Sequence, residues 1–150
     1  MTGMQFMQYA DNYYRAAQRV GVLDSEVFDP VPYQLYCQAL ELRLKAFSWF
    51  KNMSLTRNTI KRIYGHDISR LWADAKANGL GQHISLNASR DSAVDLVAPY
   101  YKSRKFCYTD IAMQFRDADV LKRQPDLLPT LADLVEEMRT KLKWPIAEAS

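Results

Sequence analysis

The stretch "GHDISRLWADAKANGL" (residues 65–80) decides the fold. Ile68, Leu71, Trp72 and Ala75 recur at the i, i+3, i+4, i+7 spacing that lines one face of a helix. Asp67 stands where a carboxylate accepts a free N–H of a first turn, and Gly79 where a left-handed residue ends a last one. A strand would need alternation with a period of two, which these residues lack. The spacing predicts a helix over about residues 67–78, opened at a glycine–histidine–aspartate corner.

The same reading extends in both directions. Upstream, "NMSLTRNTIKRIYG" (52–65) offers Ser54 as a cap for a short helix that Gly65 closes. From about Tyr33 to Lys51, Tyr36, Leu40, Leu44 and Phe47 make a stripe that Leu42, Trp49 and Phe50 widen, so the helix is apolar around much of its circumference and belongs at the centre. A first helix runs from about Met4 to Val20 on Phe6, Ala10, Tyr13, Ala17 and Val20, with Gly21 ending it. Downstream, Val94, Val97 and Tyr101 mark a helix over about 89–107 that ends in "YYKSRKFCY" (100–108). A less regular stretch (109–126) precedes a last helix on Leu127, Leu131, Leu134, Val135, Met138 and Leu142, where Pro129 is tolerated because first-turn N–H groups have no partner inside the helix. Amphipathic helices of this kind bury their stripes against one another. The expected fold is all-α, a bundle of about five helices in a single domain over residues 1–150 that brings the 66–67 corner near the 100–108 end.

Composition narrows the function less than the fold. A chain of 150 residues buries roughly two-thirds of the surface its unfolded form exposes, enough for a core without staples. The net charge of +3 is far from the single-sign excess that would argue for nucleic acid by itself. Cys37 and Cys107 stand far apart without CxxC spacing, which suggests a reducing compartment and a cytoplasmic location. No apolar run approaches the ~18 residues of a membrane span, and the start lacks a basic segment followed by an apolar one, so the expectation is a chain neither inserted nor secreted. P-loop, dinucleotide, GxSxG and HExxH patterns are lacking, so no cofactor and no metal are expected.

Taken in order, "ALELRLKAFSWFKN" (39–52), "GHDISRLWADAKANGL" (65–80), "LVAPYYKSRKFCYTD" (96–110) and "LPTLADLVEEMRTKL" (128–142) resemble the HEPN superfamily, the higher eukaryotes and prokaryotes nucleotide-binding domains. The likeness spans about residues 33–143. It lies in a Lys-Ala pair on the second helix, a His-Asp pair opening the next long one, a Tyr/Arg/Tyr cluster ending the following one, and a Leu-Pro helix at the end. It implies an up-and-down helical bundle, often a homodimer whose cleft holds the functional groups. Many members are ribonucleases marked by an arginine, four to six intervening residues and then a histidine. This chain lacks that motif: the permitted positions before His66 hold Lys61, Ile60 and Thr59, and those before His83 hold Asn78, Ala77 and Lys76. Lysine offers a point charge and no bidentate fork, so Lys61 does not replace the arginine. Other members bind nucleotides without the motif, and the "GHD" pattern here is closer to theirs.

His66 is open to two readings. Imidazole titrates near neutral pH and serves as a base or a phosphate ligand, but a lone histidine also packs between two helix ends while bonding a carbonyl. The interleaved Tyr100, Tyr101, Lys102, Arg104, Lys105 and Tyr108 suit phosphate binding and base stacking, or else answer the negative end of a helix dipole. Lys45 follows Glu41 by four residues, the spacing of an ordinary solvated ion pair, and the family likeness alone makes it an anion ligand. Arg57, Lys61 and Arg62 form either a solvated face or an extension of the same site. His83 reads as an exposed loop residue, and Trp72 with Phe47, Trp49 and Phe50 as core or dimer interface.

The functional expectation is a domain that binds a nucleotide or RNA phosphate without efficient cleavage. Lys45, His66, Asp67, Tyr101 and Arg104 would line the site, with cations on phosphate and Tyr101 stacked on a base; His66 is the one candidate for a catalytic role. Two alternatives stand beside it: a divergent, metal-independent HEPN ribonuclease of toxin–antitoxin or defence type, and a non-catalytic adaptor that recruits a protein partner.

Overall fold

The computed structural model describes residues 2–21, 28–107 and 116–150. Among them run seven α-helices and no strand: α1 (Gly3–Val20), α2 (Val31–Lys51), α3 (Arg57–Tyr64), α4 (Ile68–Ala77), α5 (Ala88–Lys102), α6 (Ala118–Lys122) and α7 (Leu127–Ala149), with a 3-10 turn at Leu80–Gln82 between α4 and α5. The all-α expectation holds, with seven helices against the about five expected; six of them fall on segments read from the sequence. The seventh, α6, forms inside the stretch that lacked a clear period, and residues 108–115, Tyr108 included, lie outside the described residues.

α2 is the centre of the bundle, packed by α1, α4, α5 and α7. Its all-round apolar character explains this, since Cys37, Ala39, Leu40, Leu44, Ala46 and Phe47 point in several directions and are all fully buried. α1 lies antiparallel to it: Gly3 abuts Trp49, Asp11 meets Arg43 at 2.8 Å, and the Tyr14 and Tyr36 rings meet edge-on at 6.3 Å. Gly3 is required by that approach, because a Cβ there would fall 2.5 Å from Cε3 of Trp49 and 2.8 Å from Cγ2 of Ile146 on α7. The stripe of α1 turns out to be Phe6, Met7, Ala10, Tyr14 and Ala17; Tyr13 and Val20, expected in the core, are exposed.

α4 runs antiparallel to α5. Trp72 Nε1 and Lys76 Nζ both donate to Asp91 Oδ1, at 2.7 and 2.8 Å, while Lys102 Nζ meets Asp67 Oδ2 at 2.8 Å. This pairing brings the 65–67 corner beside the end of α5, as the sequence led us to expect. Asp67 opens α4 by accepting the Arg70 N–H at 3.0 Å, and Gly79 takes a left-handed φ of 92° just beyond its end. α3 starts later than foreseen: Thr56, not Ser54, accepts the Thr59 N–H at 3.1 Å. His83 is half-buried, its ring edge-on to Phe47 and Phe50 at 5.8 and 6.1 Å, which corrects its assignment to an exposed loop. No helix among the described residues is long and apolar enough to cross a membrane.

Candidate functional site

The site is built around a buried carboxylate. Glu41 lies on the central helix and is 2% exposed, and an ion removed from water survives there only if paired and hydrogen-bonded. Glu41 has three such partners. Lys45, one turn on, donates its ammonium to Oε1; His66 Nδ1 lies 2.9 Å from Oε2; and the Tyr101 hydroxyl donates to Oε2 as well. Lys45 Nζ also donates to the Gly65 carbonyl at 2.8 Å, fastening the α3–α4 corner to α2. Gly65 makes that corner with a φ of +53°, which an L side chain rarely adopts.

The network sets the state of His66. A carboxylate only accepts, so Nδ1 carries the proton, and in the neutral ring Nε2 keeps its lone pair. The His66 side chain is 44% exposed, and Nε2 has no hydrogen-bond partner among the described residues. The Tyr101 ring stands perpendicular to it at 5.8 Å and fixes the plane of the imidazole. Burial, and then the neighbouring Glu41 charge, push the Tyr101 phenol far above its ordinary range, so it stays a neutral donor.

Two clefts open beside this cluster. The larger, about 590 Å³, has Tyr9 and Tyr13 of α1, Arg57 and Lys61 of α3, and His66 and Arg104 among its walls. The smaller, about 250 Å³, is lined by Gln34, Gln38, His66, Tyr101, Arg104 and Cys107. Gln38, His66 and Arg104 belong to both. The larger cleft sets four cations, Lys45, Arg57, Lys61 and Arg104, against the single Glu41 carboxylate, which Lys45 already answers. Arg57, Lys61 and Arg104 are exposed and have no ion-pair partner among the described residues. Tyr9 and Tyr13, 52% and 36% exposed, sit one helical turn apart and offer apolar ring area along the same wall. Elsewhere, the hollow between α1 and α7 has charged walls too, but there Asp11 is paired with Arg43 and Glu136 with Arg139. Among the described residues no group of three or more His, Cys, Asp and Glu is placed to hold a metal ion.

Of the five residues singled out from sequence, Lys45, His66 and Tyr101 converge on Glu41, and Arg104 borders both clefts. Asp67 lines neither. It caps α4 and pairs with Lys102; burial pushes its carboxyl up, but the bonds from Lys102 and the Arg70 N–H outweigh this and hold it below the usual carboxylate range. Two roles change. Tyr101 is 3% exposed with its hydroxyl engaged, so its ring is a wall of the smaller cleft and no stacking platform. Lys45 is not a solvated partner of Glu41 but a buried one, with its ammonium shared between that carboxylate and a carbonyl. The sequence reading passed over Glu41 as a hub, Gln38, and the Tyr9–Tyr13 pair. A charged pair on a helix apolar all round was the available signal for the first.

No family model, curated protein or solved structure matches this chain.

Proposed function

We propose that this chain is an HEPN-like helical bundle that binds a nucleotide or RNA phosphate in the larger cleft without cleaving it efficiently. The observation that carries the reading is the pairing of three uncompensated cations, Arg57, Lys61 and Arg104, with two exposed tyrosine rings in one concavity of about 590 Å³. Guanidinium forks take two phosphate oxygens at once, a lysine adds a point charge, and an aromatic face accepts a base with little regard to its identity. The volume falls within the range of small-molecule sites. The Glu41 network acts behind this surface, holding His66 and the Gly65 corner at its edge. The resemblance extends the proposal to a homodimer, and the two widely spaced cysteines extend it to a reducing, cytoplasmic setting. Isothermal titration with ATP, GTP and short single-stranded RNA tests it: binding at or below millimolar concentration supports the reading, and absence of binding by all of them removes it.

A second reading, a metal-independent ribonuclease, is favoured by one observation. His66 is oriented by Glu41 with Nε2 unengaged, and the same two clefts are bordered by Arg104, a basic residue outside the family's usual spacing. In that case Nε2 takes the proton of a ribose 2′-hydroxyl while the 2′-oxygen bonds to phosphorus. The bond from phosphorus to the 5′-oxygen breaks, and the imidazolium returns its proton to the leaving oxygen. Growth arrest on expression that His66→Ala relieves would support this reading, and innocuous expression with intact cellular RNA would exclude it.

A further inference from the structure

The end of α5 is a Schellman cap. The Arg104 N–H donates to the Tyr101 carbonyl at 3.1 Å and the Lys105 N–H to the Tyr100 carbonyl at 2.9 Å, the two crossed bonds that define that motif. The residue that turns left-handed in such a cap is usually glycine, because a Cβ there crowds the following carbonyl. Here it is Arg104, with a φ of 60°, and among the described residues no other non-glycine has a positive φ. Backbone outliers of this sort are held by the structure around them and cluster at active sites and ligand clamps. The arginine side chain makes no hydrogen bond or ion pair among the described residues, and it borders both clefts.

The position of Arg104 has a chemical consequence. Arg57 and Lys61 belong to the larger cleft only, whereas Arg104 and His66 belong to the wall that the clefts share. Because Gln38, His66 and Arg104 line both clefts, a phosphate held by Arg104 lies where the two clefts meet, within reach of either. A phosphodiester carries a substituent on each of two oxygens, and each substituent then has a cavity to occupy, of about 590 and 250 Å³. A phosphomonoester carries one substituent and leaves one cleft vacant. We propose that Arg104 is the residue that makes this site select an internal phosphodiester, with a nucleoside on either side, over the terminal phosphate of a mononucleotide. The inference rests on the anion-binding reading above and adds the ligand's connectivity to it.

Charge alone gives the opposite order. At neutral pH a terminal phosphate carries close to two negative charges and a diester one, so a simple basic patch binds the monoester more tightly. The test is therefore a ratio: the affinity of the full chain for adenylyl-3′,5′-adenosine against adenosine 5′-monophosphate, by titration calorimetry at fixed salt. We expect the diester to bind about tenfold more tightly, the scale of one charge-assisted bidentate contact. R104G and R104N both suit a left-handed backbone, and in both the preference collapses to about threefold or less, on the same scale. K61A weakens both ligands and leaves the ratio in place. A wild type that binds the monophosphate as tightly as the diester, or either Arg104 variant keeping the full preference, overturns the proposal while the anion site stands. Failure of both ligands to bind removes the site reading and this proposal with it.

Discussion

Replacing Glu41 by glutamine keeps the side chain's shape and removes its charge, leaving the Lys45 ammonium buried with only neutral oxygens, the Gly65 carbonyl and the new amide, to accept from it. Both members of the pair are almost fully buried, so solvent screening does little to soften the change. Breaking a buried pair by deleting one partner costs about 3–5 kcal/mol; because the glutamine oxygen still accepts and Gly65 still binds Lys45, we place E41Q near about 3 kcal/mol. K45M, which strands the carboxylate but keeps the aliphatic stem, lands in the same range of about 3 kcal/mol. The double variant E41Q/K45M leaves no stranded charge. Exchange of the charges themselves for uncharged groups is often nearly neutral, so the cost of the double variant is that of the weakened Gly65, His66 and Tyr101 bonds, about 3 kcal/mol in sum, where independent single effects would add to about 6. The coupling of about 3 kcal/mol is read from urea unfolding curves of the four proteins at pH 7, with unchanged slopes. Single variants within about 1 kcal/mol of wild type, or a double variant that is strictly additive, would refute a buried and mutually dependent pair.

Two further perturbations probe the frame that holds the site. G3A drives a Cβ to within 2.5 Å of Trp49 and 2.8 Å of Ile146, and overpacking of that kind costs about 1–3 kcal/mol, measured by thermal or urea unfolding. The hydrogen bond from Lys76, and then that from Trp72, hold the Asp91 carboxyl below its ordinary value of 3.8. A carboxyl depressed in the folded state contributes stability that is complete above the unfolded value and is lost as pH falls through the folded one. The stability gap between wild type and D91N therefore narrows as the pH is lowered from neutrality through 3.8 and below, and a gap that stays constant or widens contradicts the assignment.

What the sequence disclosed follows from how local each signal is. The Asp67 cap and the Gly79 turn are legible because each depends on atoms within three or four residues of chain. The antiparallel pairing of α4 with α5 accords with the up-and-down bundle that the family resemblance implies. Glu41 and Lys45 were misread because a spacing of four residues is the same on a wet face and a dry one; only the packing of four other helices on α2 decides which. Tyr13 and Tyr14 are neighbours of one type, and either fits a helical stripe, so the choice of Tyr14 for the core and Tyr13 for the cleft wall is tertiary. The end of α5 was set at residue 107 rather than Lys102 because its left-handed cap is an arginine, which carries none of the signal a glycine would. The clefts themselves draw on α1, α2, α3 and the end of α5, and no local pattern announces such a meeting.

The chain's two histidines provide the most direct test of the central claim, that an anion sits in the cleft beside the Glu41 network. His66 borders both clefts, while His83 is packed against Phe47 and Phe50 and lines neither. In proton–carbon correlation spectra of the imidazole rings, titration with ATP should move the His66 signals progressively and leave those of His83 in place. Stationary His66 signals at millimolar ATP, or equal movement of both histidines, would contradict the account.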